Sequence, residues 1–195
     1  ASITDYIVRG RPLNGGLEVE LTSTSDNAKT IYKISSNSNN RRVAHQAADK
    51  IYEKVTREKG AFDTRLAYVT VTNKTSENRM FRLYVSDADG HRPKAILSSN
   101  LPVMSPAWSP DAKQLAYVSF EENTSAIYVQ NIFTGQKRKI SARDGINGAP
   151  AWSPDGNRLA MSLSMNGSPD IYVANVNNGK LTRVTTSSAI DTEPA

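Results

Sequence analysis

The chain has 195 residues and 38% hydrophobic content, enough for one large or two small cores. Its net charge of +5 (24 Lys and Arg against 19 Asp and Glu) is scattered: Lys137-Arg138-Lys139 is the densest basic run and no basic stripe alternates with aromatics, so nucleic acid is not an expected partner. Cysteine is absent, which excludes disulfides, cysteine-ligated zinc and thiol nucleophiles, and no apolar run approaches the ~18 residues of a membrane-spanning helix, so direct membrane insertion is not expected either.

The opening reads as strands. Tyr6, Ile7 and Val8 precede Arg9-Gly10-Arg11-Pro12, and Asn14-Gly15-Gly16 is a turn signal. Leu17, Val19 and Leu21 alternate with Glu18, Glu20 and Thr22, which predicts a strand with one buried and one wet face. A partner strand is expected at residues 30–34 after the Asp26-Asn27 turn. The Ser/Asn run 35–40 reads as a loop that also supplies a helix N-cap. Residues 41–59 are predicted helical. Val43, Ala47, Ile51 and Val55 recur every four positions, with Ala44, Ala48 and Tyr52 beside them and charge on the rest. Gly60 is the expected C′ stop. The apolar stripe calls for a sheet to cover, and the preceding strands offer one.

From residue 61 the pattern changes to short strands with a fixed period. Ser105-Pro106-Ala107-Trp108-Ser109-Pro110-Asp111 returns as Ala149-Pro150-Ala151-Trp152-Ser153-Pro154-Asp155, and Thr192-Glu193-Pro194-Ala195 begins it again. Pro106, Pro150 and Pro194 are spaced 44 residues apart. Leu83-Tyr84-Val85, Ile127-Tyr128-Val129 and Ile171-Tyr172-Val173 keep that period, as do Ile96, Ile140 and Val184. Leu66-Ala67-Tyr68-Val69 matches Leu115-Ala116-Tyr117-Val118 and Leu159-Ala160-Met161-Ser162, with five extra residues in the polar loop 72–79 of the first copy. Each repeat thus supplies four strands, A to D, which is the signature of a β-propeller blade. The fold class is an α+β N-terminal piece followed by an all-β part built of four-stranded antiparallel blades.

The first blade has strands B to D at 65–99, the second spans 105–142, the third 149–186, and a fourth begins at 192–195. Such a set cannot close a ring. The chain is expected to be a fragment whose end blades expose apolar faces, which points to aggregation, oligomerisation or a proteolytic origin. Ser-Pro-Asp-Gly after Trp152 fits a type I turn, and Ala112 takes the place of Gly156 in the earlier copy, at a position expected to tolerate it. Trp108 and Trp152 are expected to pack between neighbouring blades.

The join Lys59-Gly60-Ala61-Phe62-Asp63-Thr64-Arg65-Leu66-Ala67-Tyr68-Val69 resembles that of the TolB family, periplasmic propeller proteins of the bacterial Tol–Pal envelope system. So do Leu101-Pro102-Val103-Met104-Ser105-Pro106-Ala107-Trp108 and Asn147-Gly148-Ala149-Pro150. The resemblance implies that residues 1–60 are the C-terminal part of a small α/β domain and 61–195 part of a six-bladed propeller. It also implies a non-enzymatic, periplasmic binding protein with no cofactor. Its partner at the channel mouth would be the peptidoglycan-associated lipoprotein Pal, with colicin translocation domains as competitors and TolA reached through a more N-terminal segment. Roles in outer-membrane integrity, protein transport and cell division come with it. An unclosed set of blades would bind Pal weakly or not at all.

The family's mouth maps onto Met104, Ser105, Asn147, Gly148, Ala149, Thr192 and Glu193. The physics is compatible: strand A lies nearest the axis, so residues just ahead of each Pro-Ala crowd the entrance. Small Ser105, Gly148 and Ala149 leave room for a partner's loop, and Asn147, Thr192 and Glu193 offer hydrogen-bonding groups. The same residues also suit ordinary tight turns. A His is common in the family where Ile146 stands.

An alternative is the substrate-gating propeller of a prolyl-oligopeptidase-like or tricorn-type serine peptidase, whose blades carry similar repeats. The catalytic inventory here is thin. His45 and His91 are the only histidines, no Gly-x-Ser-x-Gly elbow or phosphate-cradling glycine loop is present, and Asp87 and Asp89 lack the remaining ligands of a calcium loop. Asn73-Lys74-Thr75, Asn123-Thr124-Ser125 and Asn166-Gly167-Ser168 match the glycosylation triplet, which carries no meaning in a bacterial protein. No catalytic or metal-binding residue is expected.

Overall fold

A computed structural model describes residues 5–35, 40–72, 78–165 and 167–195. Most of the 35–40 run with its N-cap, most of the inserted loop 72–79, the triplet at Asn73 and Asn166 lie outside the described residues. Two compact units form: residues 1–65 with 87–92, and residues 66–86 with 93–195. The division falls five residues beyond the expected join.

In the first unit, β1 (Tyr6–Leu13), β2 (Gly16–Ser23) and β3 (Lys29–Ser35) make an antiparallel meander in that order. Asn14-Gly15 makes the first turn, with Gly15 at φ 77° and Leu13 paired with Gly16. At the second, the Asp26 carboxylate accepts from the Ala28 N–H at 3.1 Å. The strand alternation partitions as expected. Val19 and Leu21 are buried on the face covered by α1 (Asn40–Thr56). On the opposite face Glu20 pairs with Arg9 and Lys29, and Glu18 with Arg11 and Lys33, one carboxylate between two cations across three strands. β1 runs on through Pro12. It is an edge strand, where the missing proline N–H costs no ladder bond.

The helix departs from expectation at its C-terminal end. It stops at Thr56, and Arg57, not Gly60, takes the left-handed conformation (φ 68°) that ends it. Gly60 is needed for close approach instead: a Cβ there would collide with Asp49. The Asp49 carboxylate accepts from the backbone N–H groups of Phe62 (2.7 Å) and Asp63 (3.0 Å). Asp63 in turn accepts from Arg42 and Gln46. Residues 60–64 are therefore laid back along the helix. Only Val43 and Ala47 of the apolar stripe are buried, while Tyr52 and Val55 stay exposed, Tyr52 meeting Phe62 edge-on at 5.9 Å. The turn 87–92 belongs to this unit through Asp89, which lies against Arg41 and the His45 Nε2 (3.2 Å).

The second unit holds three antiparallel sheets, each a meander in chain order. The first comprises β4 (Arg65–Thr72), β5 (Met80–Asp87) and β6 (Lys94–Ser99). The second comprises β7 (Val103–Trp108), β8 (Gln114–Ser119), β9 (Ala126–Asn131) and β10 (Lys137–Ser141). The third comprises β11 (Asn147–Trp152), β12 (Arg158–Leu163), β13 (Asp170–Asn175) and β14 (Leu181–Arg183). These are the blades, referred to as blades 1 to 3.

Strand alternation shares the middle blade between two cores. Leu115, Tyr117, Ala126 and Tyr128 pack toward blade 1 with Leu83, Val85 and Val103. Ala116, Val118, Ile127 and Val129 pack toward blade 3 with Leu159, Met161, Leu163 and Tyr172. Each large side chain so buried contributes about 1.5–3 kcal/mol. Trp108 lines the first core and Trp152 the second, as partly buried rims. A polar staple crosses the first: the Tyr117 hydroxyl donates to Gln130 Oε1 (2.8 Å), and Gln130 Nε2 donates to the Ile96 carbonyl (3.1 Å).

Both Ser-Pro-Asp turns form, with the Ala112 and Gly156 N–H groups donating to the Ser109 and Ser153 carbonyls at 2.9 Å. The fourth position is not neutral, however. Ala112 sits at φ 53° and Gly156 at φ 70°, so Ala112 holds a left-handed backbone that glycine adopts without cost.

Candidate functional site

The residues ahead of each Pro-Ala share one unusual backbone. β7 and β11 are the first strands of their blades and lie at sheet edges, where proline is admitted. On β7 the ladder pairs Met104 with Val118, then Ala107 with Ala116, so Ser105 and Pro106 face one residue of β8. On β11 Gly148 pairs with Ser162 and Ala151 with Ala160, leaving Ala149 and Pro150 bulged in the same way. Proline has no N–H to give the ladder and disfavours the right-handed helical region in the residue before it. That residue responds by going left-handed: φ is 52° at Ser105, 48° at Ala149 and 55° at Glu193. Three copies therefore share a kink, although Thr192 and Glu193 lie outside any strand. The first strands also touch each other, and the Trp152 Nε1–H donates to the Ala107 carbonyl at 3.1 Å.

Exposure differs among the seven candidate residues. Met104, Ser105, Thr192 and Glu193 are exposed, and Gly148 and Ala149 are half-buried. Asn147 is 1% exposed, and its amide is spent on its own loop. Oδ1 accepts from Ser141 Oγ (2.6 Å) and the Arg143 N–H (3.0 Å), while Nδ2 donates to the Arg143 carbonyl (2.7 Å). Its backbone N–H donates to Ser125 Oγ at 2.9 Å. The expectation that Asn147 offers hydrogen-bonding groups to a partner is thus corrected: it shapes its own loop, because loop carbonyls and hydroxyls reach it first. Sequence reading passed over Ile190, which is 73% exposed. It occupies the repeat position of Ile146, itself 55% exposed. Carrying the 44-residue period one residue upstream of Asn147 and Asp191 would have found it.

At the other end of β7 and β11, the two Ser-Pro-Asp turns enclose a cleft of about 380 Å³ lined by Ser109, Asp111, Gln114, Pro154, Asp155 and their neighbours. Both carboxylates serve the turns. Asp155 accepts from Ser153 Oγ and the Asn157 N–H, which hold its carboxyl at about 2. Asp111 accepts from Ser109 Oγ (2.7 Å) and the Lys113 N–H (3.1 Å) and is likewise held below the usual range. Among the described residues no cluster of three or more His, Asp or Glu is placed to hold a metal ion.

A family model for the TolB β-propeller domain matches residues 52–195. The Tol–Pal system protein TolB of Methylococcus capsulatus is 50% identical over 151 residues, which is 74% of this chain and 35% of that protein. The crystal structure of TolB from Acinetobacter baumannii superposes with a TM-score of 0.85 at 38% identity, covering 96% of this chain and 48% of that one. The chain thus spans about a third of the length of the curated relative and half of the solved structure. The propeller domain of the trilobed protease from Pyrococcus furiosus (TM-score 0.52, 16% identity, covering 67% of this chain and 41% of that one) shares the fold alone. The 44-residue repeat of four-stranded blades, the shared left-handed kink before each Pro-Ala and the matched family model lead to one assignment: the chain belongs to the TolB β-propeller family.

Proposed function

We propose that this chain is part of a periplasmic protein-binding scaffold of the Tol–Pal envelope system, a non-enzymatic protein that engages Pal at the mouth formed by the bulged first strands. The observation that carries the reading is the repeated kink at Ser105, Ala149 and Glu193, which holds Met104, Ser105, Thr192 and Glu193 in the open on a common backbone frame. A partner's loop enters where Gly148 and Ala149 leave room, with Asn147 setting the wall. TolA and the translocation domains of colicins are the further partners the family membership brings. Peptidase gating has only a shared fold behind it.

Gly148 provides the test. A Cβ added there meets nothing nearer than Ile146 Cγ2 at 3.7 Å, so the position has room for a first side-chain atom. Soluble Pal domain titrated against the chain and its Gly148→Leu and Met104→Glu variants is expected to show binding lost in both, with thermal midpoints unchanged. Equal affinity across the three proteins would overturn the placement of the site.

A further inference from the structure

The connection that carries the chain from blade 2 into blade 3 is held in a way that the preceding connection is not. Ile146 is tied at both of its backbone groups by Ser164, the residue that follows β12. The Ile146 N–H donates to Ser164 Oγ at 2.6 Å, and the Ser164 N–H donates to the Ile146 carbonyl at 3.1 Å. One repeat earlier only the second bond has a counterpart: the Phe120 N–H donates to the Pro102 carbonyl at 3.0 Å. Pro102 has no N–H to give, and Phe120 has no hydroxyl to receive one.

A second serine reaches the same connection from blade 2. Ser125 stands just ahead of β9, and its hydroxyl donates to the Gly145 carbonyl at 3.2 Å and accepts from the Asn147 N–H at 2.9 Å. The positions one repeat away on either side are Phe81 and Pro169, and neither carries a hydroxyl. Gly145 is fitted to this arrangement: it sits at φ 83°, and a Cβ there would collide with Ser164 Oγ. The backbone from Gly145 to Asn147 is thus pinned from two blades by hydroxyls that the repeat supplies once. Between the pins stands the exposed Ile146 side chain, whose Cγ2 borders the open space beside Gly148.

We propose that Ser125 and Ser164 are positioning residues for the mouth. They touch no partner themselves. They hold residues 145–147 in one conformation, so that Ile146 is displayed beside Gly148 and Ala149 before a partner arrives. A loop ordered in advance spares the complex the cost of ordering it on binding. Released from either serine, the connection would occupy its binding conformation only part of the time, and apparent affinity would fall by that fraction. The proposal rests on the reading of this mouth as the Pal site, whereas the hold on the loop can be measured without any partner.

Amide hydrogen exchange followed residue by residue by NMR is the first test. Ser164→Ala is expected to speed exchange at Ile146, and Ser125→Ala at Asn147, each by about tenfold or more, while the amides of β8 and β12 keep their protection. Unchanged exchange at both positions would overturn the proposal. So would a uniform rise across all three blades, which marks lost stability and not lost position. Gly145→Ala attacks the Ser164 bond from the other side and should also release Ile146. Adding Ser164→Ala to it removes the collision, so the double variant should be disturbed less than the two single effects combined; strict additivity would count against the contact. Soluble Pal domain supplies the second test. Both serine variants are expected to slow association about threefold or more and to leave dissociation unchanged. Faster dissociation with unaltered association would make the serines direct contacts and overturn their positioning role. If the parent chain and the variants all fail to bind Pal, the reading of the mouth falls, and the exchange data alone decide whether the serines hold the loop.

Discussion

Replacing Tyr117 by Phe keeps the ring in the core between blades 1 and 2 and deletes one hydroxyl. Tyr117 is 0% and Gln130 6% exposed. Gln130 Nε2 remains held by the Ile96 carbonyl, so its Oε1 cannot swing out to find water. A buried acceptor left without a donor costs about 1–3 kcal/mol. For a chain of this size each kcal/mol moves the thermal midpoint by roughly 2–4 °C, so a loss of about 2–12 °C is expected. Tyr128→Phe is the control: its hydroxyl donates to Glu122, whose side chain is 55% exposed and free to rehydrate, and the expected loss is under about 1 kcal/mol. The assay is urea unfolding followed by circular dichroism and intrinsic fluorescence, with a double-mutant cycle between Tyr117→Phe and Gln130→Met. A Tyr117→Phe variant within about 0.5 kcal/mol of the parent, or no larger an effect than Tyr128→Phe, would refute the staple. Burial pushes the Tyr117 phenol well above its ordinary range. A tyrosine whose folded value is raised stabilises the fold below the unfolded value, near 10, and loses that contribution as pH climbs further. Ultraviolet titration should accordingly show Tyr117 ionising only with alkaline unfolding.

Three further expectations follow from the turns and the join. Ala112→Gly should stabilise by about 0.5–1 kcal/mol and Gly156→Ala destabilise by a similar amount, because both positions are left-handed; opposite signs in thermal melts check this. The Asp155 carboxyl is depressed, so its contribution is present above about pH 4 and fades as pH falls toward 2; Asp155→Ala should flatten the acid limb of a midpoint-against-pH profile between those limits. Gly60→Ala forces the Asp49 carboxylate off the Phe62 and Asp63 N–H groups and should cost about 1–3 kcal/mol in urea titrations, an outcome that a plain C′ glycine would not produce.

The repeat was legible because its cause is periodic. A strand that serves two cores must alternate, and a blade that recurs must repeat Leu-x-Tyr and Ile-Tyr-Val at a fixed distance. Hydrophobic alternation likewise placed the wet and dry faces of β2. Other features escaped because they depend on partners distant in sequence. Nothing local distinguishes a helix-stopping Gly60 from one that makes way for Asp49, eleven residues back. Val55 keeps the helical period yet has no sheet beneath it. At the candidate site, the pre-proline position could be read from Ser-Pro, Ala-Pro and Glu-Pro, but the left-handed kink could not, since proline alone leaves extended conformations open. Asn147 read as a free hydrogen-bonding group because Ser141, Arg143 and Ser125 reach it only once the loop has closed.

The division of β8 between two cores makes residue parity a mechanical address. Odd-numbered side chains from Leu115 to Tyr117 couple the blade to the one before it, and even-numbered ones from Ala116 to Val118 couple it to the one after. Coupling between neighbours is thus separable within a single strand, as in other arrays whose stability sums over adjacent contacts. A single substitution can soften the array on one side of a blade and leave the other side stiff, and moving it by one residue along the chain shifts the softened side, which turns a short strand into a hinge whose location is chosen by a step of one.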